Sequence, residues 1–268
     1  MKHILLTVFI CITYGSYAQE LYVFSEPASN MPARSMGFKY AGKWLNGSMS
    51  DRLEQRHALE LQFGHRKNWM THVSTTFSDM YTPGMRWESA RIYSKYRIYS
   101  QDGVHKHFRA ALFGELAHSV NKPMYDELNL EGDQSGFRGG LILTQLLHKL
   151  AVSSTLSYTR SFQERIVHQN HRFNYNAVQY SLSAGYLLLP RTYQSYRQTN
   201  LNLYLEMLGS QAIDTRNTFL DLAPALQLIL NSTSKLNVGY RFQLSGNMHR
   251  MANNAFHISF EHTLLNVL

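Results

Sequence analysis

The feature that most constrains this chain is an alternation of apolar and polar residues that recurs in about twelve stretches between residues 34 and 268. A strand with one apolar face repeats every two residues, so each stretch predicts a β-strand. The connections run alternately long and short, which favours an up-and-down meander, and an even strand count lets the first and last strands pair antiparallel. We therefore expect an all-β fold, a closed antiparallel transmembrane β-barrel of about 12 strands.

The second face of many stretches is too polar for a soluble core. Leu59, Leu61 and Phe63 alternate with Glu60 and Gln62, for example. A membrane barrel turns its apolar face to lipid and its polar face to the lumen, which reconciles a mean hydropathy of −0.31 with a membrane location. The aromatic fraction of 13%, with 17 Tyr, suits the belts of amphipathic rings found at membrane–water interfaces.

Residues 1–18 have the pattern of an export signal. Lys2 precedes an apolar run from Ile4 to Tyr14, and Ser16 and Ala18 supply the small residues for cleavage before Gln19. The run is shorter than the roughly 20 residues of a spanning helix, so a retained anchor is the weaker reading. The exported chain is expected in the outer membrane of a Gram-negative bacterium, in contact with outer-membrane lipid.

The single cysteine adds to this reading. Cys11 lies inside the apolar run, so the mature chain has no thiol, no disulfide and no cysteine metal ligand. Phe9 and Ile10 precede it where a lipoprotein signal needs small residues, so lipid attachment is excluded.

Three parts follow from these patterns: the signal peptide, residues 1–18; an extended N-terminal segment on the periplasmic side, residues 19–33; and the barrel, residues 34–268. The odd-numbered connections are mostly the longer ones and are predicted to be extracellular, which leaves the N-terminus in the periplasm. Pro27 and Pro32 make the N-terminal segment extended and irregular. It either simply leads into the barrel or folds into the periplasmic mouth, where Glu26 or Asn30 would contact lumen arginines.

Two places test the strand assignment. Pro224 lies inside the tenth stretch, where a proline predicts a bulge or a local break. Residues 190–199 form a connection longer than its predicted periplasmic position favours.

The inward faces carry charges of both signs, and these are the candidate site residues. A structural network of ion pairs is one interpretation, because unpaired charge in a narrow interior is costly. The other is a polar path whose mixed charges set selectivity. The lumen network consists of Glu54, Arg56, Glu60, Arg91, Lys95, Arg97, Arg109, Glu115, Glu206, Asp221, Arg241 and Glu261, with Arg34 and Lys39 also assigned to the inner face.

The net charge of +8, which becomes +7 when Lys2 leaves with the signal, does not indicate nucleic-acid binding. The basic residues are spread among strands and loops, and an exported chain does not meet nucleic acid. No nucleic-acid partner is predicted, and the sequence identifies no protein partner.

Metal and hydrolase chemistry are weaker alternatives, and no cofactor, metal or catalytic residue is predicted. Imidazole and thioether groups together favour copper, but they show no repeated spacing. An outer-membrane hydrolase needs a serine beside a histidine base, and no Gly-x-Ser-x-Gly motif is present. The residues considered were Met70, His72, Met80, Met85, His105 and His107 for a metal, and Ser153, Ser157, Ser259 and His257 for a hydrolase.

The segment from Tyr22 to Ala33, which contains the letters EPASNMPA, resembles the start of uncharacterised outer-membrane β-barrels from Bacteroidetes-type bacteria. Further similar pieces are residues 67–70, 78–81, 124–127 and 144–149, so that the resemblance extends from about residue 22 to 160. It implies an outer-membrane barrel and carries no activity with it.

The first functional interpretation is a barrel that passes or binds a small solute through a charged polar lumen. The alternative is a closed structural or adhesive barrel whose outer loops, residues 119–136 and 162–172, make contacts. An outer-membrane hydrolase is the third.

Overall fold

A computed structural model describes residues 22–47, 52–104, 106–162, 174–192 and 198–268, so the predicted signal peptide lies outside the described residues. Twelve strands and no helix occur in these ranges. They contain no helix long and apolar enough to cross a membrane. The strands are β1 (Ser35–Asn46), β2 (Leu53–Arg66), β3 (Trp69–Ser78), β4 (Arg86–Asp102), β5 (Lys106–Ser119), β6 (Gly136–Leu147), β7 (Leu150–Ser161), β8 (Asn176–Leu189), β9 (Asn200–Ala212), β10 (Thr218–Leu230), β11 (Ser234–Gly246) and β12 (Asn254–Leu264).

The sheet closes on itself. Each strand pairs antiparallel with its neighbour in sequence, and β1 pairs with β12 from Met36↔Leu264 to Trp44↔Phe256. Closure leaves no strand with an unpaired edge, so the backbone hydrogen bonds are satisfied within the sheet. The predicted fold, a 12-stranded antiparallel barrel in meander order, is confirmed.

The period-two pattern sorts side chains between the two faces as predicted. In β3, Met70, His72 and Ser74 are buried inside the barrel, whereas Trp69 and Val73 are 41% and 47% exposed outside it. Large apolar side chains are exposed in the same way on the outer face of every strand, including Leu61 of β2, Leu112 of β5, Leu203 of β9 and Phe260 of β12. A continuous exposed apolar surface of this kind is unfavourable in water.

The two ends of the barrel differ in the length of their connections. The connections that follow β1, β3, β5, β7, β9 and β11 lie at one end, the long-loop end. The connections that follow β2, β4, β6, β8 and β10 lie at the other, the short-turn end, together with the start of β1 and the end of β12. The connection between Leu189 and Asn200 is longer than the others at the short-turn end, as the sequence indicated.

Pro224 does not break its strand. β10 is continuous from Thr218 to Leu230, Pro224 pairs with Leu205 of β9, and the register with β11 is the same before and after it. The bulge lies instead between Leu220 and Asp221. Proline is tolerated in a ladder where the missing N–H is not needed for pairing, which explains why the local prediction was misplaced.

Candidate functional site in the barrel lumen

The described part of the N-terminal segment, residues 22–33, lies inside the barrel and crosses its lumen near the short-turn end. At one end of the segment, Tyr22 packs edge-on against Tyr204 of β9 at a ring-centroid distance of 5.4 Å. In the middle, the backbone N–H of Ala28 donates to the hydroxyl of Thr144 on β6. At the other end, the backbone N–H of Arg34 donates to the carbonyl of Gly64 on β2. The segment therefore spans from the β9 wall to the β1–β2 wall.

Glu206 fixes the inner end of this segment. Its carboxylate accepts hydrogen bonds from the backbone N–H groups of Val23, Phe24 and Ser25 at 2.9, 2.9 and 2.8 Å. Glu206 is fully buried and also accepts from the hydroxyl of Ser183. Three backbone donors directed at one buried carboxylate are charge-assisted bonds, which are about twice as strong as neutral ones.

Polar contacts continue along the segment, with partners that differ from those considered from the sequence. Glu26 pairs with the buried ammonium of Lys95 at 3.1 Å, so its partner is a lysine and not an arginine. Asn30 donates to the backbone carbonyl of Lys67. The arginine that reaches the segment is Arg109, which donates to the hydroxyl of Ser29 at 2.9 Å.

Gly64 permits the segment to pass close to β2. A Cβ placed on Gly64 would lie 2.1 Å from the carbonyl oxygen of Pro32, a backbone atom that cannot move aside without displacing the segment. Gly114 on β5 provides the matched control, because a Cβ there meets nothing within 4 Å. We predict that Gly64→Ala loosens the N-terminal segment and Gly114→Ala does not, as measured by protease sensitivity of residues 22–33. Equal sensitivity in the two variants would contradict this packing.

From the opposite end, the connection between β5 and β6 also enters the lumen. Residues 120–135, the inserted loop, contain the buried side chains Leu128, Leu130 and Asp133. Asp133 and Glu88 of β4 both pair with Arg56 of β2, and all three side chains are buried. The loop was assigned from the sequence to external contacts, but its acidic side chains are turned inward to basic residues of the wall.

A second group of ion pairs holds the middle of the inserted loop. Arg250, in the connection between β11 and β12, donates to Glu127 at 2.9 Å and to Asp221 of β10 at 2.8 Å. Arg241 of β11 contacts the same two carboxylates. Burial opposes ionisation of Glu127, but the guanidinium groups of Arg250 and Arg241 outweigh it and lower the pKa of Glu127 to about 2. The loop carboxylate therefore stays charged at neutral pH and down to mildly acidic pH.

Between the N-terminal segment and the inserted loop lies a cavity of about 310 Å³. Residues 22–26 form one boundary, residues 127–131 form the other, and inward-facing residues of the strands form the wall. Charged residues of both signs line it in equal number: Lys39, Lys43, Arg91, Arg138, Lys235 and Arg241 against Glu26, Glu60, Glu115, Glu127, Glu131 and Glu261.

One part of the wall groups four of these charges. Glu115 of β5 accepts from Arg91 of β4 at 3.2 Å and from Arg138 of β6 at 3.0 Å. Arg91 also lies 3.7 Å from Glu60 of β2, whose other oxygen is 3.3 Å from His72. The pairs of Glu115 with Arg91 and with Arg138, and that of Glu60 with His72, cross adjacent strands, so the barrel register itself brings them together, whereas Arg91 reaches Glu60 across β3.

The remaining residues of the predicted lumen network are dispersed. Glu54 is buried on the inner face of β2, and Glu261 of β12 pairs with Lys235 at 2.7 Å. Arg97 lies at the short-turn end, where it donates to the carbonyl of Lys67. Arg34 is exposed before β1 and does not belong to the inner face, which corrects its assignment.

Neither a metal site nor a hydrolase site is assembled from the residues considered. No group of three or more His, Asp, Glu or Cys residues suited to a metal occurs in the described ranges. Both ring nitrogens of His257 lack a hydrogen-bond partner among the described residues, so no serine is bonded to it. Met70 is buried on the inner face of β3, Met80 packs with Tyr125 and Met251, Met85 is exposed, His107 contacts Asp102, and His105 lies outside the described residues.

Comparisons with known proteins give a structural likeness only. No family model matches the chain, and no curated protein matches it. An outer membrane channel from Pseudomonas putida F1 is similar over 91% of this chain and 100% of its own, with 13% identity and a TM-score of 0.60. The NanC porin is similar over 85% of this chain and 100% of its own, with 12% identity and a TM-score of 0.54. At 13% and 12% identity, these likenesses show the fold of the chain alone.

Proposed function

We propose that this protein is an outer-membrane barrel that passes a small polar solute through its lumen. The observation that carries the proposal is the cavity of about 310 Å³ inside the barrel, lined by twelve charged side chains and bounded by two segments of the chain itself. The exposed apolar outer face supports a lipid environment, and the short-turn end is assigned to the periplasm. The similar solved structures include an outer membrane channel and a porin, in agreement with this assignment.

The interior suits passage better than simple filling of the barrel. Barrels with few strands are filled by side chains, whereas this lumen holds a cavity despite two inserted segments. The segments narrow the path at both ends and leave the chamber between them. A solute that enters would exchange water contacts for contacts with paired charges, which costs less than crossing an apolar barrier.

A structural barrel is the second candidate, because both ends of the lumen are occupied. Glu206 holds the N-terminal segment at the short-turn end, and Arg56 holds the inserted loop at the long-loop end. If neither segment moves, the barrel conducts nothing and acts through its outer surface.

Solute uptake into liposomes separates the two candidates. Purified protein reconstituted into liposomes should admit small sugars and amino acids, with faster uptake when residues 22–32 are deleted. Glu206→Ala serves as a second variant that keeps the full chain but removes the anchor of the segment. No uptake by the wild type, by the deletion variant or by Glu206→Ala would reject the channel and leave the structural barrel.

A further inference from the structure

Two of the ion pairs at the cavity have the same asymmetry in exposure, whereas the pair of Glu26, 30% exposed, with the buried Lys95 has the reverse. The side chain of Arg138 is 32% exposed, whereas its partner Glu115 is 1% exposed. Arg241 is 24% exposed and its partner Asp221 is fully buried. The carboxylates are set into the wall, and the guanidinium groups project in front of them. The surface that a solute meets at these pairs is therefore cationic, although the charges lining the cavity are equal in number.

The pattern is strongest where Arg91 and Arg138 share one carboxylate. Each guanidinium has five N–H donors, and a single carboxylate has too few lone pairs to accept from all of them. Both Glu115 oxygens are already used, one by each arginine. Arg138 and Arg91 therefore carry N–H donors that Glu115 cannot accept.

An aromatic surface lies directly beside these donors. The guanidinium carbon of Arg138 is 5.9 Å from the ring centroid of Phe113, and the ring centroids of Tyr93 and Phe113 are 5.5 Å apart. Thr155 and Ser157 line the same cavity and add hydroxyl groups. Guanidinium groups bind carboxylates through two parallel hydrogen bonds, and an aromatic ring offers contact area to an apolar body.

We propose that the wall formed by Arg91, Arg138, Phe113 and Tyr93 is a binding site for a small organic carboxylate with an apolar or aromatic body. The inference deepens the proposed function, because it names the class of solute that the lumen selects. The carboxylate of the solute binds the more exposed guanidinium, that of Arg138, with Arg91 beside it, and its body packs against Phe113. The cavity volume lies at the lower end of the range for ligand pockets, about 300–1,000 Å³, which limits the solute to a small molecule.

Binding of three probes of matched shape tests the proposal on the purified full barrel in detergent, by isothermal titration. Benzoate is the anion, benzamide the neutral analogue and benzylamine the cation. Benzoate should bind most tightly of the three. Arg138→Gln should lower the affinity for benzoate by at least about tenfold and leave the affinity for benzamide unchanged. Arg138→Lys keeps the charge but loses the planar fork, so its affinity for benzoate should lie between those of the wild type and of Arg138→Gln. Arg160→Gln, a change of an exposed arginine on β7, should leave benzoate binding unchanged.

The outcomes separate this inference from the proposed function. Equal affinity for benzamide and benzoate, or unchanged benzoate binding in Arg138→Gln, would overturn the carboxylate site even if the barrel admits solutes. Tight, Arg138-dependent benzoate binding by a barrel that admits no solute would uphold the site and reject passage. Circular dichroism of each variant confirms that the barrel is folded before titration.

Discussion

Replacing Glu206 by alanine should release the inner end of the N-terminal segment. The change removes the acceptor of three backbone N–H groups and leaves those of Val23, Phe24 and Ser25 without a partner. Hydrogen bonds to a charged group contribute about 1.5–3 kcal/mol each, so we expect the segment to lose at least about 3 kcal/mol of docking free energy. Amide hydrogen exchange of residues 23–25 should then accelerate by more than about 100-fold.

Two further variants define this effect. Glu206→Gln retains one carbonyl acceptor and should give a smaller increase in exchange. Asp214→Ala removes a carboxylate that accepts from the backbone N–H groups of Tyr175 and Asn176 at the long-loop end, and it should leave residues 23–25 protected. If the amides of residues 23–25 exchange as slowly in Glu206→Ala as in the wild type, Glu206 does not anchor the N-terminal segment.

Replacing Arg56 by glutamine should destabilise the barrel and free the inserted loop. Arg56 pairs with both Glu88 and Asp133, and all three side chains are buried. Removing one partner of a buried ion pair typically costs about 3–5 kcal/mol, because the other charges remain without compensation. Urea unfolding of the barrel in lipid vesicles, followed by gel mobility of the folded form, measures the loss.

Lys43→Gln is the matched control for this prediction. Its pair with Glu131 joins the same loop to β1, but the two side chains are 26% and 19% exposed, so the expected loss is smaller than for Arg56→Gln. Burial already raises the pKa of Asp133 despite Arg56. Without Arg56 the carboxyl of Asp133 should take up a proton more readily, so the destabilisation should be smaller at pH 5 than at pH 8. Equal losses in Arg56→Gln and Lys43→Gln would contradict the model of a buried anchor.

The barrel could be predicted from the sequence because its cause is local. Each strand needs only the alternation of apolar and polar residues, as in Trp69, Val73 and Met70, and closure follows from an even number of such strands. The bulge predicted at Pro224 was misplaced, because a proline indicates a break in the strand unless it is known whether the ladder needs an N–H at that position.

The site was less predictable because its partners are distant in sequence. Arg56 pairs with Asp133, 77 residues away, and Glu206 binds Val23, 183 residues away. Nothing in the alternation of β2 or β9 indicates that a loop or the N-terminal segment fills the lumen beside them. For the inserted loop, the available signal was the acidic content of residues 126–133, which contain Asp126, Glu127, Glu131 and Asp133 in a basic chain. That content suits a loop whose carboxylates turn inward to basic residues of the wall.

Electrical conductance across a planar lipid bilayer tests the central claim, that the lumen is a path narrowed by the N-terminal segment. The wild type and a variant lacking residues 22–32 should be compared at the same salt concentration and voltage. We predict discrete channels for the wild type and a severalfold larger unit conductance for the deletion variant, since the segment crosses the lumen at the short-turn end. Folded protein that gives no channels in either form would contradict the account.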